Sequence, residues 1–295
     1  MEPYSNKKPA IPQGWLRALL FMIIYFGILL AVSVIILLIF KKTGNSETKG
    51  GSNPSLIYVP FIINAVLSIL IVWAFRKLID RQTLSSLGFD FDKQGAHAAV
   101  GFFLGVLILC VGTLILYFTH YLQWIDINFN ANDLFISFGL MVIVALYEEI
   151  VFRGYILNNL LSSVGKWPAL VISALLFALA HAANPGYSIL AAVNIFLAGV
   201  LLGINYIYTK NLWFAILLHF SWNFFQGPVL GYEVSGLNLQ SIFQHEMHGN
   251  EFITGGKFGF EGSLLAAVLY IVSIAGLAWV YQKKYAVTVA AMVKN

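Results

Sequence analysis

Apolar residues along the chain are grouped into eight long runs, and short polar segments separate each run from the next. The runs cover residues 15–40, 56–75, 96–118, about 134–161, 168–182, 187–208, 212–225 and 263–282. A helix needs about 20 mostly apolar residues to cross the hydrocarbon core of a bilayer, and most of these runs reach that length. The pattern predicts an all-α fold, a polytopic transmembrane helical bundle of about eight spans.

The spacing of the runs divides the chain into three parts. Residues 1–133 hold the first three spans with their connecting loops, and residues 134–226 hold the next four spans. Residues 227–295 hold a glycine-rich segment, 227–262, which we expect to form a large loop, followed by the last span. Two GxxxG motifs, in GFFLG and GVLLG, predict tight helix packing within one chain.

Composition excludes an ordinary soluble domain. The chain is 59% hydrophobic and 10% charged, whereas soluble domains carry about 25% charged residues. We attribute the modest net charge of +4 to loop topology, and we expect no nucleic-acid partner. The single cysteine, Cys110, lies in an apolar run, so no intramolecular disulfide is possible.

The basic residues of the polar segments predict an orientation. With the N-terminus in the cytoplasm, the outer side collects only Lys41, Lys42, Lys49 and Lys257. The inner side then collects Lys7, Lys8, Arg17, Arg76, Lys77, Arg81, Lys93, Lys166, Lys210, Lys283, Lys284 and Lys294. The positive-inside rule therefore predicts a multi-pass integral membrane protein with both termini in the cytoplasm.

A few polar side chains that suit chemistry lie inside the apolar runs. They are Glu148, Glu149 and Arg153 of the fourth run, His181 of the fifth, and His219 and Asn223 of the seventh. At 1.5 Å per residue, the glutamates and histidines lie roughly 12–20 Å from the cytoplasmic boundary. A charge inside the bilayer costs about 3 kcal/mol on insertion scales, so such groups indicate a functional site.

These side-chain types suit hydrolysis by an activated water. A carboxylate partly withdrawn from water can act as a general base, and neutral histidines can hold a water, stabilise an oxyanion or bind a metal. Glu149 and Arg153 share a helix face, whereas Glu148 is rotated by about 100°, so the two carboxylates need not do the same job. No serine in these runs lies in a nucleophile motif, and we expect water to be the nucleophile.

Other interpretations stay open on this evidence. Glu149 with Arg153 also fits a structural ion pair, and Asn223 also fits an interhelical hydrogen bond. Carboxylates and histidines build proton relays, so a proton-coupled membrane transporter is one alternative, although no repeat relates the two halves of the chain. A non-catalytic membrane immunity or scaffold protein is another. We expect HEMH (245–248) to be a chance solvated cluster in a polar loop.

Three motifs in order resemble the CPBP family of intramembrane proteases, which contains the type II CAAX prenyl proteases and the bacterial Abi proteins linked to bacteriocin processing and immunity. EEIVFR (148–153) fits EExxxR, FALAH (177–181) fits FxxxH, and HFSWN (219–223) fits HxxxN. The resemblance covers roughly residues 134–226. It implies a CAAX-type intramembrane endopeptidase that acts on a membrane-embedded or lipidated peptide within the lipid bilayer.

The resemblance also implies a role for each polar residue. The implied catalytic residues are Glu148, Glu149, His181, His219 and Asn223. Glu148 would activate the water, His181 would help to hold it, and His219 and Asn223 would stabilise the oxyanion. Arg153 would pair with Glu149 or bind a substrate carboxylate. The family is classed among metalloproteases, yet a metal-free mechanism has also been proposed for it. A divalent metal such as zinc therefore stays open, with His181 and His219 as candidate ligands.

Overall fold

The computed structural model describes residues 8–42, 54–92 and 94–293, which are mostly helical. The long helices are α1 (Gly14–Lys42), α2 (Pro54–Phe75), α3 (Gly95–Phe118), α4 (Ala131–Glu149), α5 (Lys166–Ala180), α6 (Ile189–Ile204), α7 (Trp213–Phe224) and α8 (Leu264–Val293). π-helical segments extend three of them, at Arg76–Asp80, Ile150–Leu157 and Phe225–Val229. Short helical turns lie at Ser85–Leu87, Asn158–Leu160, Tyr206–Thr209, Glu251–Thr254, Gly256–Phe258 and Phe260–Gly262. Lys7, Lys49, Lys93 and Lys294, used in the charge argument, lie outside the described residues.

Helix lengths agree with the membrane spans that the sequence predicts. Within the described residues, six helices are long and apolar enough to cross a membrane: α1, α2, α3, α4, α6 and α8, three of them counted with their short extensions. The fifth and seventh predicted spans are shorter, with 15 residues in α5 and 12 in α7. The all-α polytopic bundle is confirmed, and the chain is an integral membrane protein.

The outer surface of the bundle is apolar, as expected of helices that face lipid. Phe118, Phe135 and Ile189 are among many large apolar side chains whose surfaces are mostly exposed. The backbone groups of these helices bond within each helix, which is what a hydrocarbon environment requires. The exposed apolar surface is therefore the lipid-facing surface, and the polar side chains are collected inside.

Successive spans alternate in direction, which gives the bundle two distinct ends. At one end, Arg17 near the start of α1 forms an ion pair with Asp80 after α2, at 2.8 Å. At the same end, Asn205 after α6 lies 2.9 Å from His97 at the start of α3. We call this the terminal end, and we call the opposite end, which carries residues 230–263, the loop end.

Glycines set the closest helix contacts inside the chain. Gly101 lies against the Phe214 carbonyl of α7, where a Cβ atom would come within 2.3 Å. Gly105, one turn on, also faces α7. Gly199 of α6 lies against Ala174 of α5, where a Cβ atom would come within 2.9 Å. Both GxxxG motifs therefore pack helices within one chain, as predicted.

A two-stranded antiparallel sheet at the loop end was not predicted. Strand β1 (Leu122–Ile127) pairs with β2 (Phe243–Met247), which lies in the segment expected to be only a large loop. His245 of the HEMH stretch lies in β2, where its ring centroid is 4.8 Å from that of Tyr232. It is partly buried there, so the expectation of a solvated cluster is wrong for this histidine. Strand pairing was missed because the partner strands lie more than a hundred residues apart.

Candidate active site

A cavity of about 410 Å³ lies inside the bundle, toward the loop end. Its wall is mostly apolar and is formed by seven of the eight long helices and by the segment between α7 and α8. The polar and ionisable side chains of the wall are Tyr25, Asn64, Tyr147, Glu148, His181, Asn184, His219, Trp222, Asn223, Ser235, Glu261 and Tyr270. An apolar cavity with a few convergent polar groups is typical of a binding or active site.

Glu148 reaches this cavity from α4. Its Oε2 atom lies 3.9 Å from the Nε2 atoms of both His181 and His219. Its other oxygen accepts a hydrogen bond from the Tyr147 hydroxyl at 3.2 Å. Oε2 is buried without a hydrogen-bond partner among the described residues. The carboxylate is thus held on one side and faces two imidazoles on the other.

His181 lies where α5 ends, and its orientation fixes which nitrogen carries the proton. Nδ1 is 2.8 Å from the Phe177 carbonyl oxygen, which can only accept, so Nδ1 is the donor. In the neutral ring, Nε2 then presents its lone pair toward Glu148. The FxxxH spacing therefore places the histidine within reach of the carbonyl one turn earlier and beside the Phe177 ring, at 4.6 Å between centroids.

His219 is oriented by the second glutamate of the pair. Its Nδ1 lies 2.9 Å from Oε1 of Glu149, and the same oxygen accepts a 2.7 Å bond from Nη1 of Arg153. Arg153 also donates from Nη2 to the Gly199 carbonyl at 3.1 Å, and its guanidinium stacks 4.4 Å from the Phe177 ring centroid. Glu149 and Arg153 are both fully or almost fully buried, so this pair lies behind the cavity wall.

The backbone conformation after Glu149 explains how two adjacent glutamate side chains have different surroundings. The α-helix changes at Ile150 into a π-helical segment that runs to Leu157. Wider π turns inside a longer helix occur frequently at functional sites. Here the segment begins directly after the pair, with Glu148 on the cavity wall and Glu149 directed to Arg153 and His219. The sequence places both glutamates on one helix but does not predict this change in winding.

Asn223 lies one turn beyond His219 on α7 and shares the cavity wall with it. The residue is buried, and α7 continues past it into the π-helical segment that starts at Phe225. Its amide is a neutral hydrogen-bond donor on the same cavity wall as His219. The structure therefore brings Glu148, His181, His219 and Asn223 together on one cavity and places Glu149 and Arg153 behind them.

Glu261 is a wall residue that the sequence analysis did not select. It is buried, and its carboxylate accepts hydrogen bonds from the Ser235 hydroxyl at 2.7 Å, from the Ser235 backbone N–H, and from Nε1 of Trp222 at 3.3 Å. Burial raises the pKa of Glu261, while the hydrogen bonds from Ser235 lower it. Glu261 stands in the polar segment just before the last apolar run, where the cost of burying a charge in the membrane gives no signal.

His181 and His219 are the candidate ligands for a metal, and both line the cavity. Within the described residues, no group of three or more His, Cys, Asp and Glu side chains is arranged to hold a metal ion. Glu149, the carboxylate in contact with His219, is already bonded to Arg153. In the part of the chain that the structure describes, the candidate ligands His181 and His219 are thus joined by no third ligand in a metal-binding arrangement.

Comparison with known proteins agrees with the motifs. Residues 130–225 match the family described as type II CAAX prenyl endopeptidase Rce1-like. No curated protein and no solved structure matches the chain. The matched segment includes all three motifs and the side chains from α4, α5 and α7 that converge on the cavity. This segment of the chain is therefore similar to the Rce1-like family of CAAX endopeptidases, in agreement with the resemblance that the motifs carry.

Proposed function

We propose that this protein is an intramembrane endopeptidase that hydrolyses a peptide bond of a membrane-associated or lipidated protein or peptide. The observation that carries the proposal is the position of Glu148, whose Oε2 lies 3.9 Å from Nε2 of both His181 and His219 on the wall of an apolar cavity. A site between these three atoms suits one water molecule at ordinary hydrogen-bond distances of about 2.8 Å.

Glu148 serves as the general base in this proposal. As the water attacks the carbonyl carbon of the substrate, its proton moves to Oε2 of Glu148, and the new C–O bond forms. His181 accepts a hydrogen bond at Nε2 from the second O–H group of the water, which keeps this hydrogen, because the Nδ1 proton of His181 is donated to the Phe177 carbonyl. The water is thereby oriented before the bond forms.

The oxyanion is stabilised from α7. The electron pair of the carbonyl moves onto its oxygen, where the Asn223 amide and a protonated Nε2 of His219 can donate hydrogen bonds. When the oxyanion collapses, the C–N bond breaks and the leaving nitrogen takes the proton from Glu148. The products are a carboxylic acid and an amine, and Glu148 returns to its ionised state.

Glu149 and Arg153 act as positioning residues. Glu149 fixes the ring of His219 through Nδ1, and Arg153 neutralises the buried carboxylate while joining α4 to α6 through the Gly199 carbonyl. The almost complete burial of Arg153 favours this role over contact with a substrate carboxylate. Like a histidine bound to a metal, an imidazole used in catalysis needs a second partner to fix its orientation.

The surroundings support a substrate that comes from the membrane. The cavity wall is mostly apolar, and it lies within helices whose outer surfaces face lipid. Peptide bonds next to lipidated or apolar residues are concentrated in this environment. In this proposal the termini lie in the cytoplasm, as the basic residues of the loops predict.

Glu148→Gln is the variant that tests the proposal. We expect it to fold and to lose cleavage by about 10²- to 10⁴-fold, because glutamine keeps the shape of the side chain but cannot accept the proton from water. Candidate substrates would come from comparing membrane proteins and released peptides in cells that contain or lack the wild-type protein. Single-turnover cleavage by purified protein in lipid nanodiscs then gives the rate.

Glu246→Gln is the matched control, because it removes one carboxylate from an exposed position on β2. It should cleave like the wild type. Near-normal cleavage by Glu148→Gln would remove Glu148 as the base. A full loss in Glu149→Gln, with Glu148→Gln active, would assign the base to Glu149.

A further inference from the structure

Glu261 lies on the cavity wall, where its carboxylate can accept one more hydrogen bond. Ser235 gives two hydrogen bonds to Oε1, and Trp222 gives one to Oε2. Two carboxylate oxygens offer about four acceptor positions in total. One position on Oε2 is therefore left for a donor inside the cavity, which the side chain borders.

The backbone around Glu261 is fixed by other elements of the fold. Asn194 of α6 donates to the carbonyl oxygens of Glu261 and Ser263, at 2.8 and 2.7 Å. Gly259 begins the turn with a φ of +90°, and a Cβ atom there would collide with the Glu233 carbonyl. A carboxylate held from α6, α7 and the loop is preorganised, as a recognition group needs to be.

The charges of the cavity wall select the kind of group that Glu261 would bind. Among the described residues that line the cavity, the ionisable acids are Glu148 and Glu261, the imidazoles are His181 and His219, and neither Lys nor Arg is present. Glu149 is neutralised by Arg153, whereas no Lys or Arg of the described chain forms an ion pair with Glu261. A substrate carboxylate finds no permanent cation on this wall, whereas a substrate cation finds Glu261.

The position of Glu261 indicates where a substrate cation bound to it would lie relative to the bond that is cleaved. Trp222, which donates to Glu261, directly precedes Asn223 on α7, and Glu261 lines the same cavity as His181 and Asn223. Successive residues of an extended peptide are separated by about 3.3–3.6 Å. A carboxylate on this wall, bonded to the neighbour of Asn223, would contact a substrate residue close to the bond that is cleaved.

We propose that Glu261 is a specificity-determining residue that binds a cationic nitrogen of the peptide substrate, close to the scissile bond. The inference rests on the proposed function and names the substrate class: peptides with a lysine or arginine side chain, or a free amino terminus, at this position. A hydrogen bond between charged groups changes binding enough to give roughly a 10- to 100-fold preference over a neutral residue.

The test uses the full-length protein in lipid nanodiscs and a set of short Leu- and Ala-rich peptides. Each peptide carries a photoreactive diazirine leucine, and one position at a time holds Lys, Arg, Gln or Glu. Cleavage is measured by mass spectrometry, and photolabelling of the cavity is measured in the Glu148→Gln background. Acetylated and free amino termini are compared, which separates a side-chain cation from a terminal one.

The proposal expects the wild type to favour a cationic peptide at one position by about tenfold or more. Glu261→Gln should lose this preference, so that it cleaves Lys and Gln peptides at similar rates, and Glu246→Gln should keep it. Glu261→Lys should favour the Glu peptides. Preference for cations that survives in Glu261→Gln, or is absent in the wild type, would overturn the proposal.

Photolabelling separates a failure of this inference from a failure of the proposed function. If the wild type cleaves no peptide, the endopeptidase activity is not supported, but labelling still reports whether Glu261 selects cations. If peptides are cleaved and labelled without regard to charge, the endopeptidase stands and the role of Glu261 is wrong. Ser235→Ala, which removes one bond to Glu261 but no charge, should reduce the cation preference only slightly.

Discussion

Replacing Arg153 by methionine tests whether the Glu149–Arg153 pair holds the site together. Arg153 makes a 2.7 Å ion pair with Glu149 and a 3.1 Å hydrogen bond to the Gly199 carbonyl, and both side chains of the pair are buried. Methionine fills similar space without the charge. The change leaves the Glu149 carboxylate buried with His219 as its one remaining hydrogen-bond partner among the described residues.

The expected loss of stability follows from these contacts. Breaking a buried ion pair by removing one partner costs about 3–5 kcal/mol. Arg153→Lys keeps one charged contact but loses the second hydrogen-bonding N–H group and the planar face over Phe177. We expect these losses to lower the free energy of unfolding by roughly 2–4 kcal/mol. The double variant Glu149→Gln/Arg153→Met leaves neither charge unpaired, so we expect it to be more stable than Arg153→Met by about 2 kcal/mol or more.

Reversible unfolding in mixed detergent micelles measures these differences. Arg81→Met is the matched control, because Arg81 is exposed and its loss should change stability by less than about 0.5 kcal/mol. A double variant whose loss equals the sum of the single losses would refute the pair as a unit. So would an Arg153→Met protein as stable as the control.

Three further outcomes follow from the packing, the charges and the topology. Gly105→Leu should reduce the amount of folded protein, because its Cβ atom would come within 2.3 Å of a side-chain oxygen of α7. Gly139→Leu has open space around its Cβ atom and should be tolerated. Fluorescence-detected size exclusion measures the folded amount of both variants. Burial raises the pKa of Glu261, so lowering the pH protonates its carboxylate. The preference for Lys over Gln peptides should then fall in the wild type but not in Glu261→Gln. Equal pH profiles of the two proteins would contradict this expectation. In a cysteine-free background, impermeant maleimide added to intact cells should label Asp126→Cys but not Asp90→Cys, and the reverse would invert the predicted orientation.

Much of the helical fold could be predicted because a bilayer imposes one simple rule. Every span must satisfy its own backbone and present apolar side chains to lipid, so apolar run length indicates the helices directly. The π-helical winding after Glu149 follows from no such rule, since it depends on how α4 meets its neighbours. The β1–β2 pairing depends on contacts between segments far apart in the chain, which apolar periodicity does not contain.

The candidate site could be predicted at positions where a residue that suits catalysis is also costly to insert into the membrane. Ionisable side chains inside apolar runs are expensive, and this cost identified Glu148, His181 and His219, which the structure places on one cavity. Glu261 was missed because its burial comes from the tertiary fold and not from an apolar run. It stands in a polar, glycine-rich segment, where a glutamate is ordinary and does not indicate a charge placed in the membrane at high free-energy cost.

The cavity also shows how chemistry and substrate choice are divided along the chain. The residues proposed to act on the peptide bond come from the matched segment, residues 130–225. Tyr25 and Asn64 of the first two helices, with Ser235 and Glu261 of the loop, complete the wall from outside that segment. Changes in these outer parts can alter which peptide enters without moving Glu148 or its histidines. A segment that fixes the reaction can therefore serve different substrates, and we expect the parts of this chain outside the family match to select its own substrate.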